Sequence, residues 1–69
     1  MIDKNMQEKM QHVYAALVER GYDPIQQITG YILSDDPTYI TNNNDARKLV
    51  ARMDRDALMH DMVENFFSK

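Results

Sequence analysis

The chain has no cysteine and no tryptophan, and only two glycines and two prolines in 69 residues. Without cysteine there is no disulfide, no thiolate zinc site and no thiol catalysis. So little glycine leaves no glycine-rich loop to cradle a phosphate and no Gly-x-Ser-x-Gly elbow to present a nucleophile. No apolar run approaches the roughly 18 residues of a membrane span. The stretch from Met1 to Asn5 lacks the basic region and apolar block of a secretory signal, so the expected compartment is the cytoplasm. Positive charge is also scarce, with eight Lys and Arg against eleven Asp and Glu and a net charge of −3. A domain that follows a phosphate backbone is basic on at least one face. Here the densest basic run, Arg47, Lys48, Arg52 and Arg55, is interleaved with Asp45, Asp54 and Asp56.

What remains is an ordinary soluble composition, 43% hydrophobic and 28% charged. The length allows one small domain, expected over residues 1–69 with a short flexible N-terminus of about four residues. A domain of this size buries about 60% of the surface its unfolded chain exposes. Its core alone supplies roughly 3–5 kcal/mol. With no disulfide or metal staple in view, oligomerisation is the remaining source of buried area.

The glycines and prolines divide the chain into helical segments. Met6, Met10, Val13, Tyr14 and Leu17 form one stripe of an amphipathic helix from about Asp3 to Arg20. Asp3 is its candidate N-cap, Arg20 a cation for its last turn, and Gly21 its left-handed stop. Asp23-Pro24 reads as cap and first residue of a second helix with an apolar face of Ile25, Ile28, Ile32 and Leu33. Gly30 inside that helix marks either the close approach of another backbone or a tolerated defect of about 1 kcal/mol. Asp36-Pro37 repeats the cap-then-proline pattern and predicts a short turn from Pro37 to Ile40, with Tyr39 and Ile40 anchoring it to the core. Thr41 to Asn44 is a polar loop, and Asn43 or Asn44 caps a third helix through Ala46, Leu49, Val50 and Met53. Asp54 caps a fourth, carrying Leu58, Met59, Met62, Val63, Phe66 and Phe67. No proline or glycine forces a break between the last two, so two helices and one bent helix both fit. The fold class is all-α, a compact bundle of four to five short helices completed by homodimerisation. Tyr14, Tyr22, Tyr31 and Tyr39 are expected to anchor it through their hydroxyls.

Candidate chemistry is sparse. His60 and Glu64 stand four apart, the spacing of two metal ligands on one helix face, but no motif supplies the other ligands, and no metal or cofactor is expected. His12 lies beside the first apolar stripe and reads as a boundary residue. Asp35-Asp36 lacks the alternating acids and glycine of a calcium loop, and capping explains Asp36 better. No residues converge on a catalytic pattern, so the chain is not expected to be an enzyme. The methionines fall on apolar faces, in a core or a dimer seam. Met62, Phe66 and Phe67 are candidate dimer contacts, because adjacent aromatics on a helix point apart and one monomer does not cover both. The alternative is a small helix-turn-helix-like DNA-binding regulator that reads bases with Arg47, Lys48 and Arg52, against which the acidic balance weighs.

One longer pattern reaches further. Gly21-Tyr22-Asp23-Pro24-Ile25-Gln26-Gln27-Ile28 is followed by Gly30-Tyr31, Leu33-Ser34, Asp36-Pro37-Thr38-Tyr39-Ile40, Asp45-Ala46-Arg47 and Arg55-Asp56. From about residue 13 to 67 this order resembles the IreB-type regulatory phosphoprotein family, small proteins of Gram-positive bacteria. The resemblance implies a cytoplasmic, all-helical homodimer without enzymatic activity. It implies a substrate of a transmembrane Ser/Thr kinase that senses the cell wall, and of that kinase's phosphatase. It further implies a negative regulator of intrinsic cephalosporin resistance, acting on a downstream protein the sequence does not name. Membrane insertion and nucleic acid are not expected, on the missing apolar run and the acidic balance. Three departures stand out. No Ser or Thr precedes Thr29, whereas the family's phosphorylated threonines lie in an N-terminal arm. Asp35 replaces the usual glycine, and Thr41-Asn42-Asn43-Asn44 replaces a proline followed by basic residues. Thr38 and Thr41 are the most loop-like hydroxyls left and are candidate phosphate acceptors, although local turn bonding is the commoner role of threonine there.

Overall fold

In a computed structural model that describes residues 4–68, the chain is all-helical. Four α-helices follow in order: α1 Lys4–Glu19, α2 Pro24–Ser34, α3 Ala46–Ala51 and α4 Arg55–Phe67. Two 3-10 turns, Pro37–Tyr39 and Asn43–Asp45, lie between α2 and α3. No strand occurs among the described residues. The radius of gyration is 11.5 Å, close to the compact value of about 11 Å for this length.

The helix boundaries follow local chemistry. Gly21, at φ 82°, ends α1 while Tyr22 N–H donates to Leu17 C=O and Gly21 N–H to Val18 C=O, the paired bonds of a left-handed stop. Arg20 falls just beyond the last helical residue, so it is not the last-turn cation the spacing predicts. The expected cap at Asp3 lies outside the described residues. So does most of the expected flexible N-terminus, and its last residue, Lys4, already opens α1. Asp23 caps α2 by accepting from Gln26 N–H at 3.2 Å. Asp54 caps α4 by accepting from Asp56 and Ala57 N–H, and this cap separates α4 from α3 without proline or glycine.

The Asn caps expected for α3 do not form. Asn43 and Asn44 sit in a 3-10 turn, and the helix begins after Asp45, with Asn44 at φ 53° and Asp45 at φ 61°. Asn43 instead reaches across to α1, donating from Nδ2 to Ala16 C=O and to Glu19 Oε1. His12 joins the same contact, its Nε2 donating to Asn44 C=O at 2.6 Å. Three α1 positions thus hold a strained turn in place.

The core is built by α1, α2 and α3, with Ile40 after the first 3-10 turn and Leu58 of α4. Val13, Ala16 and Leu17 meet Ile28, Tyr31 and Ile32, with Ile40, Ala46, Val50 and Leu58 closing the cluster. Ala46 is fully buried between Asp45 and Arg47, whose Nε donates to Ile40 C=O at 2.9 Å. The Tyr31 hydroxyl donates to Val50 C=O at 2.9 Å, joining α2 to α3. Burial raises the Tyr31 phenol above its ordinary pKa, and the nearby Asp35 charge adds to that while Arg55 opposes it.

Four apolar expectations change. Ile25 and Leu33 are 65% and 75% exposed, and Tyr31 takes the inward position assigned to them. On α1, Ala16 rather than Tyr14 completes the buried stripe. Tyr14, Tyr22 and Tyr39 are all exposed, and among the described residues only the Tyr31 hydroxyl acts as an anchor. The last change concerns Gly30. Its nearest neighbour is the ring of Tyr39 and not another backbone, and a Cβ built there would stand 2.5 Å from Tyr39 Cε1.

Candidate functional site

The fourth helix is the least buried of the four α-helices. Of its six expected apolar positions only Leu58 is buried. Met59, Met62 and Val63 are exposed, and Phe66 and Phe67 stand 74% and 77% exposed with their rings in edge-to-face contact at 5.0 Å. Leaving two phenyl rings in water forgoes burial worth about 2 kcal/mol each. The monomer therefore presents an apolar ridge that its own core does not use.

That ridge borders a trough. A cavity of about 120 Å³ opens between α1 and α4, lined by Met6, Met10, Leu58 and Met62. A second of about 360 Å³ continues it between α1 and α2 through Tyr14, Ile25, Ile28 and Ile32, with Met10 and Met62 common to both. Met62 thus joins the trough to the Phe66–Phe67 pair. The lining comes from three helices, so no single stretch of sequence announces it. Ile25 was visible in sequence as an apolar residue, but its outward direction was not.

A polar clasp sets the angle at which α4 leaves the core. The Arg55 guanidinium donates from Nη1 to Ile32 C=O in the last turn of α2 and pairs from Nε with Asp35 Oδ1 at 3.2 Å. Asp35 occupies the left-handed position that ends α2, at φ 58°, with its N–H on Tyr31 C=O. One arginine therefore satisfies a helix-end carbonyl and a carboxylate together. Arg55→Met is expected to cost about 1–2 kcal/mol, because the surface pair with Asp35 contributes little and the carbonyl bond carries most of the loss. Amide hydrogen exchange checks this. Protection should fall along α4 first, while Val13, Leu17 and Val50 stay protected; uniform loss would contradict it.

The expected phosphate acceptors lie in the 3-10 turn and the segment after it. Thr38 donates from Oγ1 to Asp36 Oδ1 at 2.6 Å, and its N–H donates to the same oxygen at 3.0 Å. The Thr38 hydroxyl first, and its backbone N–H second, hold the Asp36 carboxyl below the usual carboxylate range. A carboxyl lowered in this way supports the turn above its unfolded value and loses that support as pH falls through the folded one. Thr41 is half-buried, and its Oγ1 accepts from Asn43 N–H at 3.2 Å. Both hydroxyls thus make local turn bonds.

Two of the three residues of the DNA-binding alternative are already engaged within the chain. Arg47 is turned inward to Ile40 C=O, Lys48 Nζ lies 3.9 Å from Asp45 Oδ1, and α3 spans six residues. His60 lies near Asp61, its Nδ1 3.9 Å from Oδ1, and among the described residues no group of three or more potential metal ligands forms. No helix among them is long and apolar enough to cross a membrane. A family model described as IreB regulatory phosphoprotein matches residues 2–68 of the chain.

Proposed function

The chain belongs to the IreB regulatory phosphoprotein family, and from that premise we propose a non-enzymatic regulator that works by protein–protein contact. The observation that carries this reading is the family match over nearly the whole chain. The exposed ridge of Met62, Phe66 and Phe67 supports it, since it offers apolar area to a partner and the monomer leaves it uncovered. In this reading residues 1–69 form one cytoplasmic helical domain that pairs as a homodimer through α4. A transmembrane Ser/Thr kinase and its phosphatase set its phosphorylation in cell-envelope stress, with Thr38 and Thr41 among the acceptors. Phosphate adds charge and changes which downstream protein the domain holds. The outcome is restraint of cephalosporin resistance.

Deleting the gene tests this directly. The minimal inhibitory concentration of a cephalosporin should rise in the deletion strain and return when the wild-type chain is supplied. Supplying Phe66→Ser with Phe67→Ser should not restore it, although the protein accumulates. An unchanged inhibitory concentration on deletion would contradict the proposal.

A further inference from the structure

Five side chains can carry a phosphoserine or phosphothreonine: Thr29, Ser34, Thr38, Thr41 and Ser68. A kinase draws its acceptor into a cleft in extended form, so the acceptor's local structure must open first. Thr29 stands in the middle of α2. Ser34 donates to Gly30 C=O at 2.7 Å and accepts from Asp36 N–H at 3.2 Å, which ties the end of α2 to the next turn. Thr38 is held by Asp36 inside a 3-10 turn. Thr41 is half-buried, and its own C=O accepts from Arg47 N–H at 3.1 Å. Opening any of these four disturbs a helix or the packed connection between α2 and α3.

Ser68 differs in its place, not in its exposure, which Thr29, Ser34 and Thr38 share. It is the first residue past α4, and its hydroxyl reaches only Asn65 C=O at 3.0 Å, one turn back on the same helix end, with no tie to the packed connection between α2 and α3. Releasing it frays a helix terminus, a cheap opening beside unpacking a helix middle or the connection between α2 and α3. It also adjoins Phe66 and Phe67.

We propose that Ser68 is the principal phosphate acceptor of this chain and that phosphate there opposes docking by Phe66 and Phe67. This rests on the phosphoprotein reading above. In the transfer, the Ser68 oxygen bonds to the γ-phosphorus of a nucleoside triphosphate as the bond from that phosphorus to the β–γ bridging oxygen breaks. The hydroxyl proton passes to a base of the kinase, and nucleoside diphosphate leaves. The product carries about −1.5 to −2 charge at the carbonyl end of α4, where the helix dipole is already negative. Seating Phe66 and Phe67 against a partner then requires drying a dianion beside them. The linkage is reciprocal: a contact that covers the two rings also hides Ser68 from the kinase.

Trypsin separates the candidates cleanly. The fragment from Asp56 to Lys69 contains Ser68 alone among serines and threonines, and the fragment from Gly21 to Arg47 contains the other four. The protein is isolated from its own host with and without a cell-wall antibiotic, digested and weighed. Most of the phosphate is expected on the 56–69 fragment. Phosphate mainly on the 21–47 fragment would overturn Ser68 and leave phosphoregulation standing. No phosphate in either condition would overturn both. Ser68→Glu should weaken self-association by roughly tenfold or more while Ser68→Ala leaves it unchanged. Equal association of Ser68→Glu and wild type would overturn the second half of the proposal.

Discussion

Gly30→Ala is expected to lower the stability of this protein, although alanine for glycine inside a helix ordinarily raises it by about 1 kcal/mol. The reversal comes from Tyr39. A Cβ on residue 30 would meet the Tyr39 ring at 2.5 Å from Cε1 and 2.7 Å from Cδ1, well inside contact distance. The Tyr39 backbone is held between the Asp36 cap and the buried Ile40, so relief requires the ring to turn about its own side-chain bonds and give up its packing on α2. Overpacking of this kind costs about 1–3 kcal/mol, which in a chain this short lowers the melting temperature by several degrees. The control is Tyr39→Ala. In that background Gly30→Ala should stabilise by about 1 kcal/mol, since only helix propensity remains. Thermal melts of the four proteins form a double-mutant cycle. A Gly30→Ala single variant more stable than wild type would remove the Gly30–Tyr39 contact as a packing constraint.

Phe66→Ser combined with Phe67→Ser should leave the monomer folded and abolish its self-association. Both rings are about three-quarters exposed at 74% and 77%, so the monomer loses little when they go. In a two-fold contact each ring is counted twice, once from each copy. With burial worth about 2 kcal/mol per phenyl ring, the four rings set an upper bound of about 8 kcal/mol, and even a third of that raises the dissociation constant roughly a hundredfold. Circular dichroism reports the unchanged fold, and sedimentation the lost association. A variant that unfolds would place the rings in the monomer's own core. A variant that associates like wild type would place the contact elsewhere.

Much of this architecture is legible before any coordinates, because its boundaries are set by local chemistry. Asp23, Asp54 and Gly21 each act within a few residues of where they stand, and a cap or a left-handed stop needs no distant partner. Resolution fails where a side chain answers to a remote one. In α2 the apolar residues at 25, 28, 31, 32 and 33 cover more than one face, and the choice between faces is made by α3 when Val50 C=O accepts from Tyr31. Asn43 reads locally as a cap, yet its amide is taken by Ala16 and Glu19, more than twenty positions earlier. Arg55 reads as one more surface base, and its bond to Ile32 spans the same kind of distance.

The candidate site divides in the same way. Phe66-Phe67 is conspicuous as a sequence pair, because neighbours on a helix diverge by about 100° and share no single face. The trough beside it needs α1, α2 and α4 at once, and Met10 and Met62 meet there only through tertiary packing. Thr38 and Thr41 were prominent for their loop composition, while Ser68 is distinguished by its place at the end of α4 and by its weak local bonding. The resemblance named the family from residue order, and the physical roles of those residues became readable only in three dimensions. Asp45-Ala46-Arg47 proves to be a left-handed turn, a buried methyl and an inward guanidinium.

Sedimentation equilibrium of the unmodified wild-type chain across the micromolar range tests the central claim, that this protein works through the apolar face of α4. The account predicts an average mass rising with concentration toward twice 8.1 kDa, with phosphate on Ser68 or loss of Phe66 and Phe67 returning it to the monomer value. A mass that stays at 8.1 kDa throughout would contradict the account.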